Sequence, residues 1–468
     1  MTDELWRRGA RQLADDIANK RTTSREVVEA HLARIAEVNP AVNAVVKVLA
    51  DDARRMADAA DRAVNEGRSL GPLHGVPMTI KENIDVAGQA TTHGVPLFAE
   101  AIAPTSSPAV ERMLAAGAIP IGRTNLPDMG LRIHTDSSLH GRTKNPWMSE
   151  RTAGGSSGGE GAALATGMSP IGLGNDIGGS LRNPAHACGI ASIKPSVGVI
   201  ADAQTYPSPD RSPAFQTMAV QGVMARNVGD VRRGFEIVAG PDPRDPVSLP
   251  VRLTDLATGE RLTVAILPMP PGGSTHPDIA AAVRRAGDAL ADAGHNVVEA
   301  TPPDIEMTYL VWAMMLFSEL GDIRDQLDMV MGVGGRTLIA KILEFFPRPS
   351  NLELYGALSL RDGLARRWSM WFETHQAVVM PTWTQPPFVF DDDLAGDEGA
   401  VRTLELMRPV TPGNVLGLPS VVTPAGMADD LPVGVQVMGA RFTDLRCLAL
   451  AEQIEQRIPW TTPIDPRP

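Results

Sequence analysis

Cysteine is nearly absent from this chain, because its 468 residues include only Cys188 and Cys447. Two cysteines so far apart exclude a disulfide framework and are typical of a protein in a reducing compartment. Long hydrophobic runs are also missing. The longest, Tyr309 to Phe317, has nine residues, whereas a membrane-spanning helix needs about 20. The first 13 residues contain no apolar signal-peptide core. We therefore expect a soluble, cytoplasmic protein with no membrane partner.

Positive charge is the second deficit. Lys and Arg total 43 against 55 Asp and Glu, which leaves a formal net charge of -12. This balance argues against a nucleic-acid partner, whose binding would require a basic face. Lysine is much rarer than arginine, with six residues in all: Lys20, Lys47, Lys81, Lys144, Lys194 and Lys341. Lysine is thus unusual in this chain, and a lysine at a position where it could act as a base suggests a role that arginine could not fill.

Short strands and amphipathic helices alternate along the chain. One helix begins at a capping box formed by Thr23 and Glu26, and Asn39-Pro40 predicts its end, followed by a strand from Val42 to Leu49. Such alternation predicts an α/β fold with a mixed β-sheet covered by helices on both faces. We find no repeat or linker, so we expect one domain over residues 1–468, with a helical cap or insertion around 304–361.

A segment rich in glycine and serine occupies residues 151–198. Its first part, Gly154-Gly155-Ser156-Ser157-Gly158-Gly159, has three interpretations. A flexible linker is one, but ordered elements follow it too closely. A phosphate loop is another, but neither the dinucleotide nor the Walker pattern is complete. The third is nucleophilic catalysis, because Ser157 lies at the centre of a G-x-S-x-G match. That elbow needs a strand before it, whereas residues 145–151 read as a loop.

A second glycine cluster, Ile177-Gly178-Gly179-Ser180, offers a better nucleophile. The backbone N–H groups of its first three residues can converge on an oxyanion, and its glycines let a substrate approach closely. Ser180 needs a base, but His186 is explained equally well as a packed polar residue, and most histidines have no acidic partner at a telling spacing. Lys81 ends an apolar run and would act as a base if burial lowered its pKa. A structural lysine paired with a carboxylate such as Glu82 explains this pattern equally well.

At these residues the sequence resembles the amidase signature family. The matching motifs are Gly71-x-x-x-Gly75-Val76-Pro77-x-x-x-Lys81-x-Asn83, Gly155-Ser156-Ser157-Gly158 with Glu160, Gly174-x-Asp176-x-Gly178-x-Ser180-Leu181-Arg182, and Asn414-x-x-Gly417-Leu418-Pro419. Together with further short matches they extend over nearly the whole chain. The resemblance implies the amidase signature fold, which has a large, twisted, mixed sheet.

The resemblance also implies a role for each matching residue. Ser180 would be the acylated nucleophile, Ser156 the proton relay after a cis peptide bond, and Lys81 its base. The oxyanion would be bound by the N–H groups of Ile177, Gly178 and Gly179. Supporting roles would fall to Ser157, Asn175, Asp176 and Arg182. This chemistry needs no metal and no organic cofactor.

Two departures from the family pattern stand out. Asn175 occupies a position where threonine or serine is common, which alters the hydrogen bonds around Ser156. Residues 131–136 differ from the usual serine- and threonine-rich stretch near the substrate, so they bear on substrate choice. We predict that the substrate-binding residues include Met129, Gly130, Met314 and Trp383. We also predict that residues 204–215 form a lid over the site.

The predicted function is hydrolysis of a small amide through an acyl-enzyme. Apolar and aromatic residues after Asp304 favour a hydrophobic or aryl amide, with anilides, esters and carbamates as further candidates. We expect a free-standing monomer or homodimer. The alternative is a glutaminase component like that of a tRNA-charging amidotransferase, which acts only with partner subunits.

Overall fold

The computed structural model describes residues 4–467. Its strands are β1 Val45–Val48, β2 Pro77–Lys81, β3 Ile119–Thr124, β4 Asp136–Ser137, β5 Gly141–Arg142, β6 Ile171–Asp176, β7 Ala191–Lys194, β8 Val220–Ala225, β9 Thr263–Ile266, β10 Asn296–Glu299, β11 Ala377–Pro381, β12 Ser420–Ala428 and β13 Leu431–Gly439. Its α-helices are α1 Ala10–Ala18, α2 Ser24–Val42, α3 Ala50–Asn65, α4 Pro108–Ala115, α5 Gly158–Ala165, α6 Arg182–Cys188, α7 Pro213–Met218, α8 Val228–Val238, α9 Pro277–Asp292, α10 Ile305–Asp322, α11 Arg324–Val330, α12 Val333–Phe345, α13 Asn351–Phe372, α14 Gly396–Leu406, α15 Thr411–Val415 and α16 Asp444–Arg457.

Eleven strands of the described residues form one sheet, in the order β1-β3-β2-β6-β8-β7-β12-β13-β11-β9-β10. The sheet is mixed, because β2 runs parallel to both β3 and β6 whereas β6 runs antiparallel to β8. Successive side chains of a strand point to opposite faces. Accordingly Val223 belongs to a hydrophobic core that includes residues of helices α1, α4, α8, α9 and α16, while its neighbour Met224 belongs to another core that includes residues of α2, α5 and α6. The predicted α/β architecture with helices on both faces is confirmed.

Helix α2 extends beyond the end that Asn39-Pro40 predicted. The capping box at Thr23 and Glu26 is present, but the helix continues through Pro40 to Val42 rather than ending at Asn39-Pro40. A proline in the last turn removes a single hydrogen bond, which is cheaper there than in the middle of a helix. The Asn39 side chain also accepts hydrogen bonds from the N–H groups of Ala44 and Val45, at 2.8 Å each, and so closes the helix. The strand consequently begins at Val45 instead of Val42.

A block of helices follows β10. The helix predicted from Asp304 to about Met329 is present as α10 and α11, which are separated at Ile323. Helices α12 and α13 extend the block to Phe372, and their apolar faces join α10 in a core that includes Trp312, Leu338 and Trp368. No helix among residues 4–467 combines the length and apolar character needed to cross a membrane.

Candidate active site

The site lies at the carboxyl ends of the parallel strands β2 and β6. Lys81 is the last residue of β2 and Asp176 the last of β6. In β2, Met78 and Ile80 point into the core on one face, so Lys81 points to the other face, which α5 covers. The period of two along a strand therefore delivers the lysine into the protein interior. Open α/β sheets commonly hold their ligands at such strand ends.

Lys81 is fully buried and contacts a serine rather than a carboxylate. Its Nζ lies 2.7 Å from Ser156 Oγ and 2.7 Å from Asn175 Oδ1. Within residues 4–467 no carboxylate lies at ion-pair distance from it, and Glu82 instead binds His140 and Thr92. Burial lowers the pKa of Lys81 to about 7, although Asp176 and then Glu160 act in the opposite direction. The lysine can therefore lose its proton near neutral pH.

Ser156 follows a cis peptide bond with Gly155, as the family resemblance implied. Its hydroxyl faces Gly130, where an added Cβ would lie 3.4 Å from Ser156 Oγ. Gly130 also has a φ of +71°, a conformation that favours glycine. The adjacent Ser157 precedes helix α5, and its N–H donates to the carbonyl oxygen of Ser180 over 3.3 Å. This bond holds the two serine-bearing loops together.

The predicted oxyanion donors differ in their availability. The Gly179 N–H donates to Asp176 Oδ1 over 2.8 Å, so it is already engaged. The N–H groups of Ile177 and Gly178 have no acceptor among the described residues. The Ile177 carbonyl accepts a 2.8 Å hydrogen bond from the indole Nε1 of Trp312, which fixes the peptide between Ile177 and Gly178. Two of the three predicted donors are therefore free to bind an oxyanion.

Asp176 and Arg182 form a fully buried ion pair beneath this loop. Arg182 donates from Nε to Asp176 Oδ2 at 3.0 Å and from Nη2 to Oδ1 at 3.1 Å. Asn414 Nδ2 and the Leu181 N–H add bonds of 2.8 and 3.1 Å to the same carboxylate. Burial is the largest influence on Asp176 and opposes its ionisation, but the charge and hydrogen bonds of Arg182, the charge of Lys194 and the hydrogen bond from Asn414 together hold the pKa of this carboxyl below its usual range. The pair braces the segment that carries Ser180.

Asn183 is a supporting residue that the sequence did not single out. Its Nδ2 lies 3.1 Å from the Gly155 carbonyl and 3.2 Å from the Gly178 carbonyl, so it joins the loops of Ser156 and Ser180. Trp383, predicted to bind substrate, is fully buried and donates to Asn183 Oδ1 over 2.8 Å. It therefore lies behind the site. The only sequence signal for Asn183 was its position directly after a motif residue.

Ser180 borders an apolar cavity. The lining residues are Gly130, Leu131, Arg132, Ile133, Ile177, Gly178, Ser180, Trp312, Leu316, Phe317, Leu320, Leu338, Ile339, Ile342, Thr403, Leu404 and Met407. The cavity volume is about 60 Å³. Of the predicted pocket residues Gly130 lines the cavity, whereas Met129, Met314 and Trp383 do not.

The unusual stretch 131–136 forms one wall of this cavity through Leu131, Arg132 and Ile133. The Arg132 guanidinium is buried and binds Asp393 Oδ2 at 2.6 Å and Asp391 Oδ1 at 2.8 Å. Because two carboxylates neutralise this cation, it does not offer a free charge to a ligand. The cavity therefore remains suited to an apolar group.

Residues 204–215 connect the two sides of the site. The Thr205 N–H donates to Asp85 Oδ2 over 2.5 Å, and the Tyr206 carbonyl lies 3.0 Å from His93 Nε2. At the other end the Ala214 N–H donates to Glu319 Oε1 over 2.7 Å. The segment thus bridges the loop after β2 and helix α10. Its predicted role as a lid stays a prediction.

Comparison with known proteins supplies the family. Residues 26–448 match a family model described as amidase. The chain belongs to the amidase family. It is 37% identical to the indoleacetamide hydrolase of Bradyrhizobium diazoefficiens, over 97% of this chain and 87% of that one. It is 33% identical to a glutamyl-tRNA(Gln) amidotransferase component of Symbiobacterium thermophilum, over 91% and 92% of the two chains.

Solved structures agree with this assignment. A bacterial aryl acylamidase of the amidase signature family matches this amidase with a TM-score of 0.83 and 26% identity, and 97% of each chain is covered. The family, the fold and the enzyme class predicted from the sequence are thereby confirmed. The chain is a hydrolase that acts on amides.

Proposed function

We propose that this amidase hydrolyses the amide of a hydrophobic, aryl-bearing carboxylic acid through an acyl-enzyme on Ser180. The observation that carries the proposal is that the buried Lys81 lies at hydrogen-bond distance from Ser156, in a site where Ser180 borders an apolar cavity. An aryl acyl group would leave water for this cavity and would gain roughly 25 cal/mol for each Å² that is buried. The names of the indoleacetamide hydrolase and the aryl acylamidase support the same substrate class.

The proposed reaction uses side chains and backbone alone. Neutral Lys81 accepts a proton from Ser156, which accepts one from Ser180 as the Ser180 Oγ bonds to the substrate carbonyl carbon. The N–H groups of Ile177 and Gly178 bind the oxyanion. Ser156 then gives a proton to the leaving nitrogen, because an amide anion is a very poor leaving group. Water releases the acid from Ser180 by the same relay.

A fluorophosphonate probe tests the nucleophile. Ser180→Ala should abolish labelling, because the oxygen that bonds to phosphorus is gone. Ser192→Ala is the matched control, since Ser192 is a buried serine of strand β7 whose hydroxyl has no hydrogen-bond partner among the described residues. The control should label like the wild type. Full labelling of Ser180→Ala would refute the assignment.

The base is tested separately. Lys81→Ala should reduce amide turnover by about 10³-fold or more, the scale seen when one member of a catalytic triad is removed. Circular dichroism and thermal unfolding should show that the variant is folded. Near wild-type turnover at neutral pH would show that another group acts as the base.

Substrate class is tested with matched series. We expect arylacetamides and aryl anilides to be hydrolysed with higher kcat/KM than acetamide or glutamine. Aryl esters and carbamates with the same acyl or leaving groups complete the panel. A preference for small polar amides would contradict the proposal.

The alternative is a glutaminase component, which the likeness to the amidotransferase chain supports. Glutamine carries a polar amide and a charged amino acid head, and the cavity beside Ser180 offers few groups to bind them. The polar side chains that line the cavity are Arg132, Ser180 and Thr403. Arg132 is already paired with a carboxylate, so Thr403 is left as the group that could bind a polar part of glutamine. Hydrolysis of an aryl amide by the purified chain alone separates the two functions.

A further inference from the structure

Glu160 is a buried carboxyl that the proposed mechanism leaves without a role. It lies in the first turn of α5 and is inaccessible to solvent. Its carboxylate reaches the sheet at Gly172, where an added Cβ would collide with Glu160 Oε1. Gly172 therefore makes room for the carboxyl. A charged group in such a place is costly unless something nearby compensates for it.

The hydrogen-bond partners of Glu160 place it beside Lys81. Thr79 donates to Glu160 Oε1 and Thr124 donates to Oε2, the latter over 2.8 Å. Thr79 is two residues before Lys81 in β2, so both side chains point to the same face. Thr124 is the partner of Lys81 in the register between β2 and β3. The two hydroxyl groups thus hold the carboxyl next to the stem of the lysine.

The other charged groups near Lys81 have partners of their own. Asp176 is bound by the Arg182 guanidinium. The buried cation of Arg123 is opposed by the nearby carboxylates of Glu82 and Asp85. The titratable groups that interact electrostatically with Lys81 are Asp176 from β6, Glu160 from α5 and His93 from the loop after β2.

His93 does not alter this balance. Burial lowers the pKa of His93 to about 4, so its ring is neutral at pH 7. Glu160 makes no ion pair of 4 Å or less with any described residue, and the side chains that donate to it carry hydroxyl groups. Of the two carboxyls that raise the pKa of Lys81, Asp176 is paired with Arg182, so Glu160 is the one that has no ion-pair partner among the described residues.

We propose that Glu160 is the counter-charge of the Lys81 ammonium and acts as a positioning residue that sets how strong a base Lys81 is. This inference rests on the proposed function of Lys81. When the relay places a proton on Lys81, the adjacent carboxylate stabilises the positive charge that appears. Burial raises the pKa of Glu160 to about 7, so the carboxyl of Glu160 and the amine of Lys81 titrate in the same pH range.

The test is the pH dependence of phosphonylation of Ser180 by a fluorophosphonate. In this reaction the Ser180 Oγ–P bond forms, the P–F bond breaks, fluoride leaves and the serine proton passes to the relay. Its rate should rise with pH as Lys81 loses its proton. Glu160→Gln removes the negative charge and keeps the shape, so the ammonium becomes less stable. The rising limb should move to lower pH by about one unit, and the plateau rate should fall severalfold because the base is weaker.

Asp444→Asn is the matched control. Asp444 is also a fully buried carboxylate that accepts from a backbone N–H and a hydroxyl, both of Ser196, at 2.7 and 2.8 Å. This variant should lose stability without moving the limb. Thr124→Val is a second variant, which removes one hydroxyl donor from the Glu160 carboxylate. It should move the limb in the same direction by a smaller amount, and it serves if Glu160→Gln does not fold.

The outcomes separate the inference from the function on which it rests. A wild type that is labelled at Ser180 with a pH limb that Glu160→Gln leaves in place would overturn the inference alone. A limb displaced to higher pH would also overturn it. If Ser180 in the wild type is not labelled, or if Lys81→Ala keeps the wild-type limb, the proposed function itself is wrong.

Discussion

Replacing Asp176 by asparagine should destabilise this amidase by about 4 kcal/mol, because it leaves Arg182 as a buried cation without its counter-charge. The carboxylate accepts five hydrogen bonds, from the N–H groups of Gly179 and Leu181, from Arg182 twice, and from Asn414. An asparagine can keep its oxygen at the Oδ1 position, where three donors converge. Its amide nitrogen then faces the donors of Leu181 and Arg182, so two bonds are lost.

The magnitude follows from those two bonds. Hydrogen bonds to charged groups are worth about 1.5–3 kcal/mol each, so their loss agrees with the value of roughly 3–5 kcal/mol for breaking a buried pair. Whole proteins are stable by only about 5–15 kcal/mol. Urea unfolding followed by circular dichroism and by tryptophan fluorescence measures the change. A variant within about 1 kcal/mol of the wild type would refute the reasoning.

The stability lost in the same variant should also depend on pH, in a direction that follows from the pKa of Asp176. The pKa of Asp176 is lower in the folded protein than the value of about 3.9 in an unfolded chain. Its contribution to stability is therefore complete above that unfolded value and is lost as pH falls through the folded value. The stability difference between wild type and Asp176→Asn should narrow in acid. The double variant with Arg182→Met should lose less than the sum of the single losses.

Further outcomes are expected in four assays. Amide turnover should rise about tenfold between pH 6 and pH 8, because neutral Lys81, with a pKa of about 7, increases from about one-tenth to about nine-tenths; a flat profile contradicts this. Trp312→Phe keeps a ring in the wall but loses the indole donor, so kcat should fall about fivefold with little change in KM. Leu316→Ala should raise the kcat/KM ratio of bulky over small acyl groups, and an unchanged ratio would place the acyl group elsewhere. Iodoacetamide should leave Cys188 and Cys447 unmodified until urea unfolds the chain, because burial raises the pKa of both thiols.

Local sequence rules predicted most elements but not all of their ends. The helix at Thr23 was foreseen from its capping box, whereas its continuation past Pro40 depends on hydrogen bonds made by the Asn39 side chain. Strand β6 lies in the glycine-rich segment, which the sequence does not mark as a strand. Its glycines, Gly172 and Gly174, face α5, where Glu160 and Ser157 leave no room for a side chain. Such contacts between a helix and a strand have no signature in local composition.

The candidate site divides in the same way. The motif around Ser180 identified the nucleophile, and the family resemblance selected Ser156 over Ser157. From residue chemistry alone, Lys81 could be either a base or part of a structural ion pair. The structure shows Lys81 beside Ser156 and Asn175, while Glu82 binds other groups. Trp383 was predicted to bind substrate from its place after a strand, but β11 directs it into the core behind Asn183.

By itself the sequence determined the family, the alternating α/β architecture and the residue types that carry the chemistry, because motifs and periodicity are local properties of the chain. Tertiary structure decided which groups meet. The apolar cavity is built by α10, α12, α14 and the loop at residues 130–133, which are far apart in sequence. The environment of Lys81 combines β2, β3, α5 and β6. Burial and neighbouring charge set the pKa of a lysine, and both exist only when these segments are packed together.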